Sequence, residues 1–280
     1  MIDLHLHSTW SDGRLSPTEV VQRAAEQGLT AIAIADHDVV GGTQEAVSEG
    51  RRRGVEVIPA VELTVRWGRR VVHLLGYGFD YTHPLIEAQF SAAERAMRVH
   101  VGMLLEELRD AGQDIPLSAL QRAHSRYPTG TSVVLAITRA RGLGRLPNPW
   151  QFLRRAAEQP ATASIENGIA LIHAAGGAAI LAHPGKATRG KPLLEAHDLA
   201  SLIGAGLDGI ECWTVAHDDG VRNHFLDAAD KLGLLTTGGS DSHGRDRGAA
   251  IGSQHVPISV LTELRKVMKR VQMPVATTSS

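Results

Sequence analysis

Apolar and polar positions alternate in blocks along the chain, and the blocks read as strands and helices in turn. Ile2-Asp3-Leu4-His5-Leu6-His7 is a short strand. Residues two apart in a strand share a side, so His5 and His7 project together. Ser16-Pro17-Thr18-Glu19 opens a helix, with serine as N-cap, proline at the first position and glutamate completing a capping box. The stripe Val20, Val21, Ala24, Ala25 follows, and Gly28 stands where a C-terminal glycine cap belongs. Residues 29–35 form an apolar run into Asp36-His37-Asp38, and residues 43–54 a second helix with Arg51, Arg52 and Arg53 in its last turn, where cations suit the dipole. Residues 55–61 are a third strand ending at Glu62. Residues 71–75 are a fourth containing His73, after a turn at Trp67-Gly68-Arg69. Uninterrupted apolar strands between helices suit a parallel sheet covered on both faces, an α/β fold.

Residues 84–159 break this alternation. Residues 85–108 have a strongly helical pattern that Gly112 and Pro116 end; residues 117–123, 132–141 and 149–158 are further helices, and no strand is expected. A helical insertion over 84–159, able to cap an active site, thus separates 1–83 from 160–272. The alternation then resumes. Ser164 caps a helix, residues 178–182 run into His183-Pro184-Gly185, and the strand 209–213 is followed by His217. Residues 219–232 are helical. Residues 234–238 lead into Ser240-Asp241-Ser242-His243, residues 261–271 form the last helix, and 273–280 read as a flexible tail.

Composition narrows the classes. A net charge of −1 over 280 residues gives no basic surface for duplex nucleic acid and no acidic tail. Cys212 is the single cysteine, so an internal disulfide is excluded and a reducing compartment fits. With no apolar leader and no run of membrane-spanning length, a soluble cytoplasmic protein is expected.

The 14 histidines matter by placement. Metal-capable side chains stand at successive strand ends: His5, His7 and Asp12, then His37, Glu62, His73, His183, His217, and the pair Asp241 and His243. A lone strand-end histidine is commonly structural; Asp12 also reads as a turn residue before Gly13, and Asp241 as a cap. Recurrence at strand after strand favours one site, because the carboxyl ends of parallel barrel strands share a face. His83, His100, His124, His173, His197, His224 and His255 fall in helices, loops or the insertion and read as structural or surface residues. Imidazole and carboxylate donors without thiolate suit Mn²⁺, Zn²⁺ or Fe²⁺. The candidates exceed the four ligands of one tetrahedral zinc, so two or three divalent ions are expected, Mn²⁺ first among them. Glu62, with two oxygens, is a natural bridge. Clustered metals suit in-line displacement at phosphorus.

His5-Leu6-His7-Ser8, Ser11-Asp12-Gly13, Asp36-His37-Asp38, Glu62, His73, His183-Pro184-Gly185 and Ser240-Asp241-Ser242-His243 together resemble the polymerase and histidinol phosphatase (PHP) family of metallophosphoesterases, relatives of the amidohydrolases. The resemblance spans residues 2 to 252, with the insertion weaker. It implies a distorted TIM-like (β/α)7 barrel and a trinuclear site: one metal on His5, His7, Glu62 and Asp241, a second on Glu62, His73 and His183, a third on Asp12, His37 and His243. It implies catalytic roles for Asp241 and for His217, the latter as phosphate binder or general acid. Trp67-Gly68-Arg69 is similar to the subgroup acting on 3′,5′-nucleotide bisphosphates and short 5′-phosphorylated oligonucleotides, and makes Arg69 a substrate contact. That subgroup carries an Arg-x-His phosphate clamp in its insertion. Here the region reads Tyr127-Pro128-Thr129-Gly130-Thr131-Ser132, so Thr131, amides around Gly130, and Arg126 or His124 become the candidates. Hydrolysis of a cyclic sugar phosphate, first to the phosphate ester and then to inorganic phosphate, is the competing family activity. Lys186, Arg245 and Arg247 are candidate phosphate cations or solvated loop residues. C–N hydrolysis and a non-catalytic metal-binding module are the remaining alternatives. The expected partner is a small phosphorylated substrate, with no membrane.

Overall fold

The apolar runs become strands because helices bury both their faces. In the computed structural model, which describes residues 1–123, 128–186, 194–244 and 249–272, β1 (Ile2–Leu6) is buried at every position. α1 (Pro17–Glu26) begins on the capping box, Ser16 accepting from the Glu19 amide while Glu19 caps Ser16 in return. β2 (Ala31–Ile34), α2 (Thr43–Arg53) and β3 (Glu56–Trp67) follow, with β1, β2 and β3 parallel.

β4 (Arg70–Tyr77) departs from the expected parallel arrangement. It runs antiparallel to β3, Trp67 pairing with Arg70 across Gly68-Arg69, with Gly68 at φ 56°. Two residues close a hairpin but cannot make the crossover that a parallel pair needs. The consequence is functional: the start of β4 lies on the face where the parallel strands end, so His73 reaches that face from inside a strand rather than from beyond one.

β6 (Ala178–Leu181) pairs antiparallel with β4, and β7 (Gly209–Trp213) and β8 (Leu235–Gly238) continue in parallel, giving the order β1-β2-β3-β4-β6-β7-β8. A two-residue strand β5 (Ala163–Ser164), not expected from the sequence, pairs with β3. The sheet closes on itself just past β8: the Asp241 amide donates to the His5 carbonyl and the His7 amide to the Ser242 carbonyl, both at 2.9 Å. The fold is a distorted TIM-like α/β barrel. α7 (Ile165–Ala174), α8 (Ala196–Gly204), α9 (Asp219–Leu232) and α10 (Ile258–Gln272) belong to its second half.

Between β4 and β5 stand α3 (Pro84–Asp110), capped by the His83 ring, α4 (Leu117–Ala123), α5 (Gly130–Arg139) and α6 (Pro149–Ala156). They enclose a core of their own, including Val101, Leu108, Leu120, Val133, Ile137 and Phe152. Ile86 and Phe90, in the first turns of α3, pack instead into the barrel core. His124, Arg126, Tyr127, Arg245, Arg247 and the tail 273–280 lie outside the described residues. Among the described residues, no helix is long and apolar enough to cross a membrane.

Candidate metal centre

The strand ends are held by carboxylates that take no part in the cluster they frame. Asp3, buried in β1, accepts from the Ser240 amide at 2.9 Å and the Gly252 amide at 2.7 Å, fixing β1 to the segment that closes the barrel. Asp36 accepts from the Ser8 amide at 2.8 Å and from the Ser8 and Ser11 hydroxyls at 2.6 and 2.5 Å, which shapes the loop that carries Asp12. Asp38 accepts from the Thr64 amide at 2.8 Å, and the Asp38 amide donates to the Glu62 carbonyl at 3.0 Å, so His37 is registered beside Glu62. Burial pushes the Asp38 carboxyl up to about 6.

Glu62 is the centre. Its Oε1 lies 2.7 Å from His73 Nδ1 and 2.8 Å from His183 Nε2; its Oε2 lies 3.2 Å from His5 Nε2 and 3.3 Å from both His7 Nε2 and His37 Nδ1. Asp241 Oδ1 is 3.2 Å from His7 Nε2, and Asp12 Oδ1 is 3.2 Å from His243 Nε2. Among the described residues, three groups have donor atoms close enough to share an ion: His5, His7, Glu62 and Asp241; His7, Asp12, His37 and His243; and His37, Glu62 and His73. His73 Nδ1 and His183 Nε2 stand 3.4 Å apart on the same oxygen of Glu62. His7 and His37 therefore border two groups each, where the family resemblance implied one apiece.

The donors suit divalent ions. His5 Nε2, His7 Nδ1, His37 Nδ1 and Glu62 Oε2 are buried in this cluster without a hydrogen bond, a state that costs about 1–3 kcal/mol per group unless something else satisfies it. Burial alone would raise the Glu62 carboxyl, but His73, His37 and His5 around it hold it well below the usual range. Asp241 is likewise held down against its burial by His7 and His5. Burial lowers His7 too, yet the Asp241 and Glu62 carboxylates beside it lift it to about 10, whereas at His37 burial wins and drops it to about 3. Anionic carboxylates thus face His7, whose proton stands where a cation would, and metal binding at such sites displaces protons. The backbone is strained at the same points: Asp38, His183 and Asp241 have φ of 51°, 25° and 52°, the left-handed region that non-glycine residues rarely occupy.

His217 is held by the backbone on both sides. Its Nε2 accepts from the Gly185 amide at 2.9 Å and its Nδ1 donates to the Cys212 carbonyl at 2.9 Å. With both nitrogens engaged by backbone, it braces the His183-Pro184-Gly185 turn, and burial lowers its pKa. A Cβ on Gly185 would meet the His217 ring at 2.7 Å, so glycine is required there. Lys186 does reach the site, with Nζ 3.1 Å from Asp241 Oδ2.

The other substrate candidates are not gathered into the cluster. Arg69 is exposed at the β3–β4 turn. Thr131 lies in the first turn of α5, which packs on α3, α4 and α6. The hydroxyls of Thr129 and Ser132 are occupied in capping α5, and a Cβ on Gly130 would fall 1.9 Å from the Ala156 carbonyl oxygen. Glu211 was missed. It is fully buried in β7, accepts from the His183 amide at 2.8 Å and pairs with His5 Nδ1 at 2.9 Å. A charged residue inside the apolar run Gly209–Trp213 was the signal.

Comparisons with known proteins agree with this geometry. The PHP domain profile matches residues 3–138. The chain is 33% identical to the 3′,5′-nucleoside bisphosphate phosphatase of Chromobacterium violaceum, over 88% of this chain and 90% of that protein. It is 31% identical to the 5′-3′ exoribonuclease Rnm of Escherichia coli, over 86% of this chain and 84% of that one. Among solved structures, a proposed metal-dependent phosphoesterase from Bifidobacterium adolescentis superposes with a TM-score of 0.82 at 26% identity, covering 95% of this chain and 96% of the other. A barrel closed at β1, a carboxylate ringed by imidazoles at its strand ends, and relatives matched nearly end to end place the chain in the PHP family of metal-dependent phosphoesterases.

Proposed function

We propose that this phosphoesterase acts on nucleotides, with 3′,5′-nucleoside bisphosphates and short 5′-phosphorylated oligonucleotides as its substrate class. The observation that carries the chemistry is Glu62, fully buried, with imidazoles close to both of its oxygens. His5, His7, Glu62 and Asp241 would hold one ion, Glu62, His73 and His183 a second, and Asp12, His37 and His243 a third. Such ions, Mn²⁺ first for this donor set, supply Lewis acidity at phosphoryl oxygens and lower the pKa of a water. The chain's residues do the rest. Glu62 turns one oxygen to each side of the cluster. Asp241 Oδ2 draws Lys186 Nζ to 3.1 Å, setting a cation at the rim for an incoming phosphate oxygen. His217 keeps the His183 turn in place.

A second feature supports nucleotides over bare sugar phosphates. Beside His73, His183 and Lys186 lies a slot of about 210 Å³ walled by Trp67, Val71, Val72, Leu181, Pro184 and Leu194. Apolar walls against a phosphate-binding edge suit a planar base joined to a phosphate. Arg69, one turn from Trp67, is in our reading a contact for a second phosphate. We also take residues 84–159 as a cap domain on a barrel of 1–83 and 160–272, and the lone cysteine as the mark of a cytoplasmic enzyme.

The test is phosphate release, with Mn²⁺ supplied, from nucleoside 3′,5′-bisphosphates, 5′-phosphorylated oligonucleotides, a cyclic sugar phosphate and histidinol phosphate, alongside amide and lactone hydrolysis. The expected kcat/KM for the nucleotide substrates exceeds the others by at least ~10-fold, the lower end of what an apolar pocket discriminates. A preference for the cyclic sugar phosphate, or for an amide, overturns the reading.

A further inference from the structure

We propose that Glu211 is a positioning residue that fixes which nitrogen of His5 carries the proton and seats the His183 turn. The proposal rests on the reading above that His5 and His183 hold ions. Glu211 is fully buried at the middle of β7, and each of its oxygens has a separate task. Oε2 lies 2.8 Å from the His183 amide, which can only donate, so this oxygen must accept. Oε1 lies 2.9 Å from His5 Nδ1. A carboxylate oxygen there accepts Nδ1–H, so Nε2 is the nitrogen whose proton an ion would displace. That nitrogen is directed at the cluster, 3.2 Å from Glu62 Oε2 and 3.8 Å from Asp241 Oδ1, and has no hydrogen bond of its own. Ligating histidines depend on such outer carboxylates for ring orientation and basicity.

The adjacent residue of β7 completes the device. The Cys212 carbonyl holds His217, and His217 holds the Gly185 amide, while Glu211 holds the His183 amide. Two consecutive residues of one strand therefore clamp both ends of the turn that carries His183 at its strained φ of 25°. That explains a carboxylate in an otherwise apolar strand: two donors, 28 residues and 206 residues away in sequence, converge on it, and only a group with two acceptor atoms serves both.

Glu211→Gln tests this with almost no change of shape. An amide offers one acceptor and one donor face. With its oxygen on the His183 amide, its NH₂ meets His5 Nδ1 and requires a lone pair there. The ring proton then resides on Nε2, facing the cluster, and blocks ligation. With the amide flipped, its NH₂ opposes the His183 amide and the turn loosens. Two readouts decide. Histidine-labelled nitrogen NMR of the full chain without added metal, at a pH high enough that the His5 ring is neutral, should show a proton on His5 Nδ1 in the wild type and none in Glu211→Gln. Mn²⁺ titration followed by electron paramagnetic resonance should show affinity for the tightest ion weakened by about 10- to 100-fold, with the melting temperature close to wild type. A wild-type His5 without a proton on Nδ1 overturns the proposal even if the variant fails to fold. So does a folded variant that retains both the Nδ1 proton and wild-type Mn²⁺ affinity. A wild type that takes up no Mn²⁺ sinks the metal reading instead, while the Nδ1 result still decides the role of Glu211.

Discussion

The strand-end face of the barrel and the helical layer of α3–α6 each enclose a buried cluster, and they are built in opposite ways. On the strand-end face, His5, His7 and Glu62 are at most 1% exposed, several of their polar atoms lack hydrogen bonds, and three residues hold strained backbone. In the helical layer, Val101, Leu108, Ile137 and Phe152 fill an apolar core, and the polar groups at the start of α5 are spent on caps. One region gives up local stability to hold donor atoms ready. The other is built mainly on apolar packing, with His100 Nε2 and Gln113 Nε2 its buried polar atoms without a hydrogen bond among the described residues and Arg141 in left-handed backbone at φ 52°. Departures from the packing rules cluster where function is expected, which separates the chemistry from the packing around it.

The sharpest way to break that contrast is Asp241→Asn. Asparagine tolerates the left-handed φ of 52° that Asp241 adopts, so the backbone should survive while the charge beside His7 and Lys186 is lost. Turnover on the best phosphate ester should fall by more than ~10²-fold, beyond the usual cost of removing an outer-shell partner, with the melting curve nearly unchanged. Near-normal turnover with a full complement of metal would mean that the strained strand end is a structural feature only.

Next in size is Phe152→Ala. Truncating a fully buried phenylalanine costs about 3–5 kcal/mol, here inside the core of the helical layer. Hydrogen exchange should accelerate across residues 84–159 and stay slow in β1, β3 and β7, with Mn²⁺ binding retained. Equal acceleration in the barrel would show that the two regions unfold as one and that the contrast is one of composition, not of stability.

The same contrast explains what the sequence reveals. Histidines and carboxylates at the ends of apolar runs stand out because nothing in the packing of a strand calls for them, so the convergence of His5, His7, His37, Glu62, His73 and Asp241 was legible from position alone. The hairpin turn at Gly68-Arg69 was legible too. That it reverses β4, and so brings His73 to the site from within a strand, needed the pairing of Trp67 with Arg70. Asp3, Asp36 and Glu211 escaped because a buried carboxylate is explained by its donors, and theirs are backbone amides, serine hydroxyls and a ring nitrogen brought in by the fold. The bracing contacts of His217 were hidden for the same reason: its two partners are a backbone amide and a carbonyl. Around Thr131 the sequence shows hydroxyls and a glycine, but not that Ala156 packs against Gly130.

The smallest effect tests the contrast on carboxylates. Glu49 in α2 is almost as buried as Glu62, yet it lies away from the cluster and is satisfied by permanent donors: Arg52 Nε at 2.7 Å, Arg53 Nε at 2.9 Å and Gln22 Nε2 at 3.1 Å. The three arginines ending α2 thus do more than suit its dipole; two of them hold Glu49, and these bonds lower its carboxyl from 4.5 to about 2. A pKa depressed on folding adds stability that is fully present above 4.5 and is lost as the pH falls toward 2. Glu49→Gln should therefore lower the urea midpoint modestly at neutral pH, and the gap to wild type should close as the pH is taken down through that window. The arginines are half-exposed or more, so added salt should narrow the gap as well. A gap that is constant with pH would mean that shape, not charge, holds Glu49. The distinction between a carboxylate answered by arginine and one answered by histidine would then lose its physical basis on the outer side of the barrel.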